Sequence, residues 1–361
     1  MNQRTTPLQS IDTLGAMALD APGGQPSVTP PADATVAAIA SQFPANWLVI
    51  RNGKASDVAA QLPGLNVALT QDVLSIQVPA QLVHDGIVGL LFIDDTENGA
   101  GMSHARVVIE LQAGSAVNII EYHSTIGNAM HHAHCAMELS LAAGARCNFI
   151  RFQDRQTQHD QTGSLTATLD MDSQLHHTAF DLGGNVVRNE LNIKLAGAGA
   201  MTCLYGLFMA GGDQHVENHS RVDHLVGPAS SEQEYRGIAA GASRCVWRGV
   251  AVVHRGADGT NASQANHNLL LSAAAIIDAT PQLEIYADDV KASHGTTFGG
   301  LDQNALFYLR TRGLDDAAAR RLLIGAHAGK IVARSPLPAL QARISEIVAQ
   351  RVATLIAEEA P

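Results

Sequence analysis

From about residue 90 to residue 293 the chain is dominated by short runs in which apolar and polar residues alternate, each broken by glycine or a polar turn. Alternation at period two marks a strand with one face turned inward. His104–Leu111, Ala136–Leu141, Ser164–Leu169 and Glu190–Leu195 are of this kind. One turn-plus-strand word recurs among them. Ala113-Gly-Ser-Ala-Val-Asn-Ile-Ile-Glu-Tyr122 is echoed by Ala143-Gly-Ala-Arg-Cys-Asn-Phe-Ile-Arg-Phe152, then by Asp172-Ser-Gln-Leu-His-His-Thr-Ala-Phe-Asp181, and more weakly from Ala198 and Ala240. Repetition at about 30 residues, with strands of about five residues, predicts a β-solenoid in which each coil buries its inward side chains on the next, ~4.8 Å away. A large antiparallel sandwich would give similar strands without the fixed interval.

After Gly300 the period turns helical. Asp302 is placed to cap a helix through Arg312, ended by Gly313. Asp315 is placed to cap a second, with Ala318, Ala319, Leu322, Leu323 and Ala326 on one face and Gly329 beyond its end. Pro336 and Pro338 break the chain before Leu340, Ile344, Ile347, Val348, Val352, Leu355 and Ile356, whose spacing predicts an amphipathic last helix. The plainest task for these helices is to cap the open end of the solenoid. The chain thus divides into a 1–45 lead-in, a 46–300 β-helix core and a 301–361 helical domain. Proline and glycine punctuate the lead-in, leaving room only for short helices such as Ile11–Leu19 or Ala34–Ser41. Trp47–Ile50, followed by the Asn52-Gly53 turn signal, reads as a first hairpin-like unit.

Composition narrows the function classes. Hydrophobic residues make up 46% of the 361 and can fill a sizeable core, yet aromatics are only 4%, so small aliphatic residues must do the packing. The net charge is -11 with no basic stripe, which argues against a nucleic-acid partner. Cys135, Cys147, Cys203 and Cys245 form no C-x-x-C pair, as expected of buried, reduced thiols in the cytoplasm. The longest apolar runs, Ile87–Ile93 and Leu269–Ala279, fall short of the ~20 residues of a membrane helix.

Several constellations invite a chemical reading. His131, His132, His134 and Cys135 stand close together, with His132 and His134 on one face of a strand, but no second pair lies at a zinc-finger spacing, and packed or solvated histidines are the expectation. His176 and His177 point to opposite faces. His215, His219 and His224 fall in a polar segment with Asp213, Glu217 and Asp223 that reads as a surface loop. No P-loop, G-x-S-x-G elbow or H-E-x-x-H occurs, and Gly197-Ala-Gly199 lacks the third glycine of a dinucleotide fingerprint. The carboxylate pairs Asp94-Asp95, Asp288-Asp289 and Asp315-Asp316 point apart, unlike the paired acids of a polysaccharide-cleaving β-helix.

The junction between the two textures, Glu284 to Gly300, carries the most specific signal. Continued as a strand it would put Glu284, Asp288 and Asp289 on both faces and create a charged edge, and Gly295 after His294 favours a turn that leaves the imidazole facing outward. Tyr286-Ala-Asp-Asp-Val-Lys291, Ser293-His-Gly295 and Ala305-Leu-Phe-Tyr-Leu-Arg-Thr-Arg-Gly-Leu314 together resemble the C-terminal signature of the SufB/SufD family, the scaffold components of Suf iron–sulfur cluster assembly, in its SufD branch. Over roughly residues 90 to 330 the resemblance implies a right-handed parallel β-helix. It implies a non-catalytic subunit that pairs with a SufB-like scaffold and docks a SufC-like ATPase, with a homodimer in isolation a further expectation. A transient iron–sulfur cluster would form at the subunit interface, none would be bound permanently, and flavin binding stays open. His294 would be the ligand to iron or the cluster, and Asp288, Asp289 and Lys291 interface or turn-fixing residues. ATPase docking would fall to Ala305, Leu306, Tyr308, Leu309, Arg310, Leu314, Leu322 and Leu323. Two departures stand out: Ala292 occupies the family's cysteine position, and the N-terminal helical region of the family is abbreviated. The competing class is a stand-alone β-helix carbohydrate-binding or polysaccharide-cleaving protein, which needs an aromatic-lined groove.

Overall fold

The computed structural model describes residues 73–97 and 99–358, with the backbone alone of two short strands at 17–18 and 47–52. In chain order the strands are β1 (Met17–Ala18), β2 (Trp47–Asn52), β3 (Val73–Val78), β4 (Val83–Asp95), β5 (Gly101–Leu111), β6 (Ala116–Ile126), β7 (His131–Leu141), β8 (Arg146–Gln153), β9 (His159–Leu169), β10 (Gln174–Asp181), β11 (Val186–Leu195), β12 (Met201–Ala210), β13 (His215–His224), β14 (Ser230–Ala239), β15 (Arg244–Val253), β16 (Thr260–Leu270), β17 (Ile276–Ile285) and β18 (Val290–Gly299). Three helices follow: α1 (Gln303–Thr311), α2 (Asp316–Val332) and α3 (Pro338–Glu358).

Each strand pairs in parallel with the strand two places along the chain, so the odd strands form one nine-stranded sheet, sheet A, and the even strands another, sheet B. In sheet A, Val107 of β5 pairs with Met137 of β7, which pairs with Leu165 of β9. The fold is the expected parallel β-solenoid. Its strands are longer than expected, 10 or 11 residues in most of sheet A, because each runs on past the apolar half that the alternation revealed into a polar half that is also buried. The turn word holds for the first four coils, with one register correction. Gly114, Gly144 and Gly199 adopt positive φ at the corner that leads from an odd strand into the next even one, and the residue doing so in the third word is Asp172 (φ 55), so Asp172 matches Gly114 rather than Ala113. The echo at Ala240 falls elsewhere: Gly241 turns from β14 into β15, at the opposite corner, stacked on Gly212.

Two short strands precede β3. Trp47–Asn52 is a strand, and its described partner is β4, in parallel; the turn expected at Asn52-Gly53 runs outside the described residues. Met17–Ala18, inside the segment expected to be weakly helical, forms a short strand beside β3; the rest of the 1–45 lead-in lies outside the described residues.

Two apolar cores result. One fills half of the solenoid interior, with Phe92, Phe149, Phe208 and Trp247 fully buried. The other lies on the outer face of sheet B, where Phe152, Phe180, Tyr205, Leu207 and Met209 meet Ile324, Ala328, Ile331, Ile344, Val348, Val352 and Leu355 of α2 and α3. The helices therefore cover the flank of the solenoid instead of capping its end. Strand β12 explains why: Cys203, Tyr205, Leu207 and Met209 line one of its faces and Leu204, Phe208 and Ala210 the other, so it needs cover on both sides. The caps are as expected, with Asp302 accepting from the amides of Asn304 and Ala305, and Asp315 from that of Ala318. Helix α2, however, runs through Gly325 and Gly329 to Val332, and it buries Ala319, Ile324 and Ala328 while Leu322 faces solvent. Packing on sheet B overrides the weak helix propensity of glycine here. The four cysteines are free and buried, and among the described residues no helix is long and apolar enough to cross a membrane.

Candidate functional site

Strands β17 and β18 make the last coil, and each ends its sheet. Among the described residues no strand pairs with their outer edges, which present a row of backbone N–H and C=O groups, the arrangement that accepts another strand. Residues 286–289 carry the chain between the two strands, so Tyr286, Asp288 and Asp289 lie in a turn and not in the continued strand the alternation allowed. The amides of Asp288 and Asp289 donate to Asp258 Oδ1 (3.3 and 3.4 Å), and Gly259 N–H donates to the Asp289 carbonyl (2.7 Å). These bonds lock the corner to the coil before it.

His294 sits in the middle of β18, register-paired with Gln264 of β16. No turn forms at Gly295, because β16 offers ten consecutive parallel partners through Gly299, and the strand simply continues. Gln264 belongs to the buried inner column of its coil. His294 continues that column, yet no further coil covers it and its imidazole is exposed. Ala292, where the family has cysteine, lies in the same column opposite Ala262. Lys291 is exposed at the start of the strand. Phe298, Ile285, Tyr286 and Ile276 add exposed apolar surface to the same coil.

The predicted docking residues divide by burial. Tyr308 and Leu322 are more than half exposed and Arg310 is exposed, Ala305, Leu309, Leu314 and Leu323 are half-buried, and Leu306 is 4% exposed and packs beneath α1. The most exposed apolar side chain of the helices is Phe307 at 70%. Sequence reading passed over it because spacing alone does not tell which helix face the sheet will take. The Arg312 guanidinium lies 5.1 Å from the Tyr308 ring centre and stiffens this surface.

A third group, in the interior, escaped the sequence. Arg155 is buried and donates to Asp94, to Gln161 Oε1 (2.6 Å) and to His123 Nδ1 (3.0 Å). Asp94 also accepts from Ser103 Oγ (2.8 Å), and His131 Nε2 stands 3.3 Å from it. Arg151, register-paired with Glu121, holds Asp181 through both carboxylate oxygens (2.7 and 3.0 Å) and contacts Asn189. Among the described residues, Glu121, His123 and Cys135 form the one group of three potential metal ligands whose donor atoms lie within 4.8 Å of one another. Its chemistry argues against an ion. Arginine can only donate, so Nδ1 of His123 accepts from Arg155 and Nε2 carries the proton, which Glu121 receives. Burial pushes the Cys135 thiol well above its usual range. The signal for this column was present in Glu121-Tyr122-His123 and Arg151-Phe152-Gln153, where the aromatic residues turn outward beneath the helices and the charges turn in.

The solenoid thus ends in an open last coil and carries its helices along one flank. Residues 92–327 match the family described as SUF system FeS cluster assembly, SufBD core domain. The chain belongs to this family. It is 29% identical over 269 residues to the iron–sulfur cluster assembly protein SufD of Escherichia coli, covering 73% of this chain and 63% of that one. It is 30% identical to an iron–sulfur cluster assembly SufBD family protein of Mycobacterium tuberculosis, covering 72% and 66%. A SufBD family protein of Synechocystis is 29% identical over 317 residues, covering 85% and 69%. The match thus spans just under two thirds of the length of the first two relatives.

Proposed function

We propose that this chain is a SufD-type, non-catalytic scaffold subunit of iron–sulfur cluster assembly in the cytoplasm. The observation that carries the reading is the last coil: helices that could have closed it lie instead on the flank, leaving the edges of β17 and β18 open, with His294 exposed in the inner column. A related SufB-like solenoid would add its own strands to this edge, and without that partner a second copy of the chain would take the same place. The exposed Phe307, Tyr308 and Leu322 with Arg310 would receive a SufC-like ATPase, flanked by Ala305, Leu309, Leu314 and Leu323, while Leu306 supports α1 from below. His294 would lend a neutral imidazole to iron or to the cluster as it forms across the interface. With alanine at 292 the sulfur donors must come from the partner. The cluster is cargo, and no resident cofactor is assigned. The rival carbohydrate-binding reading finds little support, since Trp247 is fully buried and Tyr205 and Tyr235 are covered.

The test is co-expression with SufB-like and SufC-like partners followed by anaerobic cluster reconstitution, wild type against His294→Ala. The expected result is an intact complex whose iron–sulfur absorbance is lost in the variant. Unchanged cluster yield would remove His294 from the chemistry. Elution of the chain as a lone monomer beside both partners would overturn the scaffold reading.

A further inference from the structure

The outer face of sheet A brings together three imidazoles that lie apart in sequence. His132 and His134 alternate along β7 and share its outer face, while β5 sets His104 directly beside His134 in the adjoining coil. The His104 and His134 rings are 5.7 Å apart, centre to centre, and nearly perpendicular at 85°. Two imidazoles holding one ion through nitrogens ~2.0–2.1 Å away place their ring centres on the order of 5–6 Å apart, so the pair already stands at a shared-ion spacing.

His134 is 1% exposed, and neither of its ring nitrogens has a hydrogen-bond partner; Nδ1 of His104 lacks one too. A buried imidazole without a partner is destabilising and calls for an ion or a water. His132 Nε2 meets Thr162 Oγ1 at 3.3 Å, a hydroxyl that can donate or accept. Asp160 lies opposite His132 in the next coil, and its Oδ1 is fixed by Asn185 Nδ2 and Val186 N–H, each at 3.0 Å. Burial first, then repulsion from neighbouring imidazoles (His132 and His131 for His104, His104 and His132 for His134), favours the neutral form of both, with His134 lowered to about 4. Burial likewise lowers His132, against an opposing pull from Asp160. Neutral imidazole is the form a metal binds.

We propose that His104, His132 and His134 form a site for a borderline divalent transition ion such as Zn2+, with the remaining oxygen of Asp160 as the fourth donor. The donor atoms do not yet converge within 4.8 Å as the rings stand, so the ion draws them together. His134 gives up no hydrogen bond in turning. The ligand set suits zinc, cobalt or copper over magnesium or calcium, which prefer all-oxygen shells. Such an ion would clasp three successive coils, through β5, β7 and β9, on the face opposite the helices.

The test uses the full chain, stripped with chelator and titrated with Zn2+ by calorimetry, and with Co2+ by visible absorption. Wild type should take up one ion in a tetrahedral nitrogen and oxygen environment and melt at a higher temperature as free Zn2+ rises. His134→Ala and the milder His104→Gln should each weaken binding at least ~10-fold, the lower bound set by the effect of merely supporting residues at metal sites. His215→Ala, on the same face but in a distant coil, should bind as wild type. Should His134→Ala fail to fold, His104→Gln on its half-exposed ring decides alone. No stoichiometric uptake by wild type, or uptake unchanged in His104→Gln, would overturn the proposal.

Discussion

Replacing Asp94 with alanine removes the counter-charge from a guanidinium that has no route to water. Asp94 is 0% and Arg155 3% exposed, and burial already pulls the Arg155 pKa down to about 9. Taking away one partner of a buried pair costs about 3–5 kcal/mol, because the other is left charged and unpaired. Gln161 and His123, which also accept from Arg155, are neutral acceptors and cannot replace a carboxylate. Removing the charge as well should reverse part of the loss. Asp94→Ala with Arg155→Met is therefore expected to be more stable than Asp94→Ala alone, by at least about 1 kcal/mol. Urea unfolding followed by circular dichroism measures both, provided the m-values agree, since a change in slope would signal that the coils no longer unfold together. A single variant within about 1 kcal/mol of wild type, or a double variant less stable than the single, would refute the reasoning.

Two further outcomes follow from the interior. Burial lowers His177 to about 3 and His131, His159 and His224 to about 4, so as pH falls below 6.5 the unfolded chain takes up protons that the folded chain refuses. Stability present above pH 6.5 is lost on the way down toward pH 4, by up to about 1.4 kcal/mol per pH unit for each histidine; melting curves at pH 7.5 and 5 should show it. In those curves His177→Phe, whose ring can keep the stack on Phe149, should lessen the slope by about one proton, and an unchanged slope would count against it. Asp172 occupies the left-handed corner that glycine fills in the neighbouring coils, so Asp172→Gly should leave the fold intact and stabilise it by about 0.5 kcal/mol; a lower melting temperature would show that its carboxylate, which leans over Gly199, matters more than the backbone.

The solenoid was legible because its corners repeat: Gly114, Gly144 and Gly199 mark the same left-handed turn in successive coils, with Asp172 taking it in one, and a backbone requirement leaves the same kind of residue there. The helix caps at Asp302 and Asp315 were legible for the same local reason. The helix faces and the polar interior were not. On β6, Val117 and Ile119 point inward as alternation suggests, but the inward column then continues with Glu121 and His123 while Ile120 and Tyr122 turn out. Apolar residues on both faces erase the period-two signal, and only the presence of α2 and α3 over sheet B tells which face is which. For the site, the words around His294 gave the segment, but the sequence could not say that His294 lies in an open inner column, since that depends on where the stack stops. The juxtaposition of His104 with His134 was invisible because parallel register across thirty residues sets it.

The placement of α2 and α3 has a mechanical consequence. Their apolar cluster reaches from Leu91 and Ile93 in β4 to Leu269 in β16, so a single pair of helices is lashed across most of the coils. In a stack where each coil leans only on its neighbours, stiffness is normally local; a splint of this kind makes the shaft resist bending and twisting as one piece. The last coil projects past the splint, held on one side only. A rigid rod with a compliant tip can adjust the twist of that tip to a strand laid against it without disturbing the rest, and force applied at the helical flank is carried along the shaft to the tip.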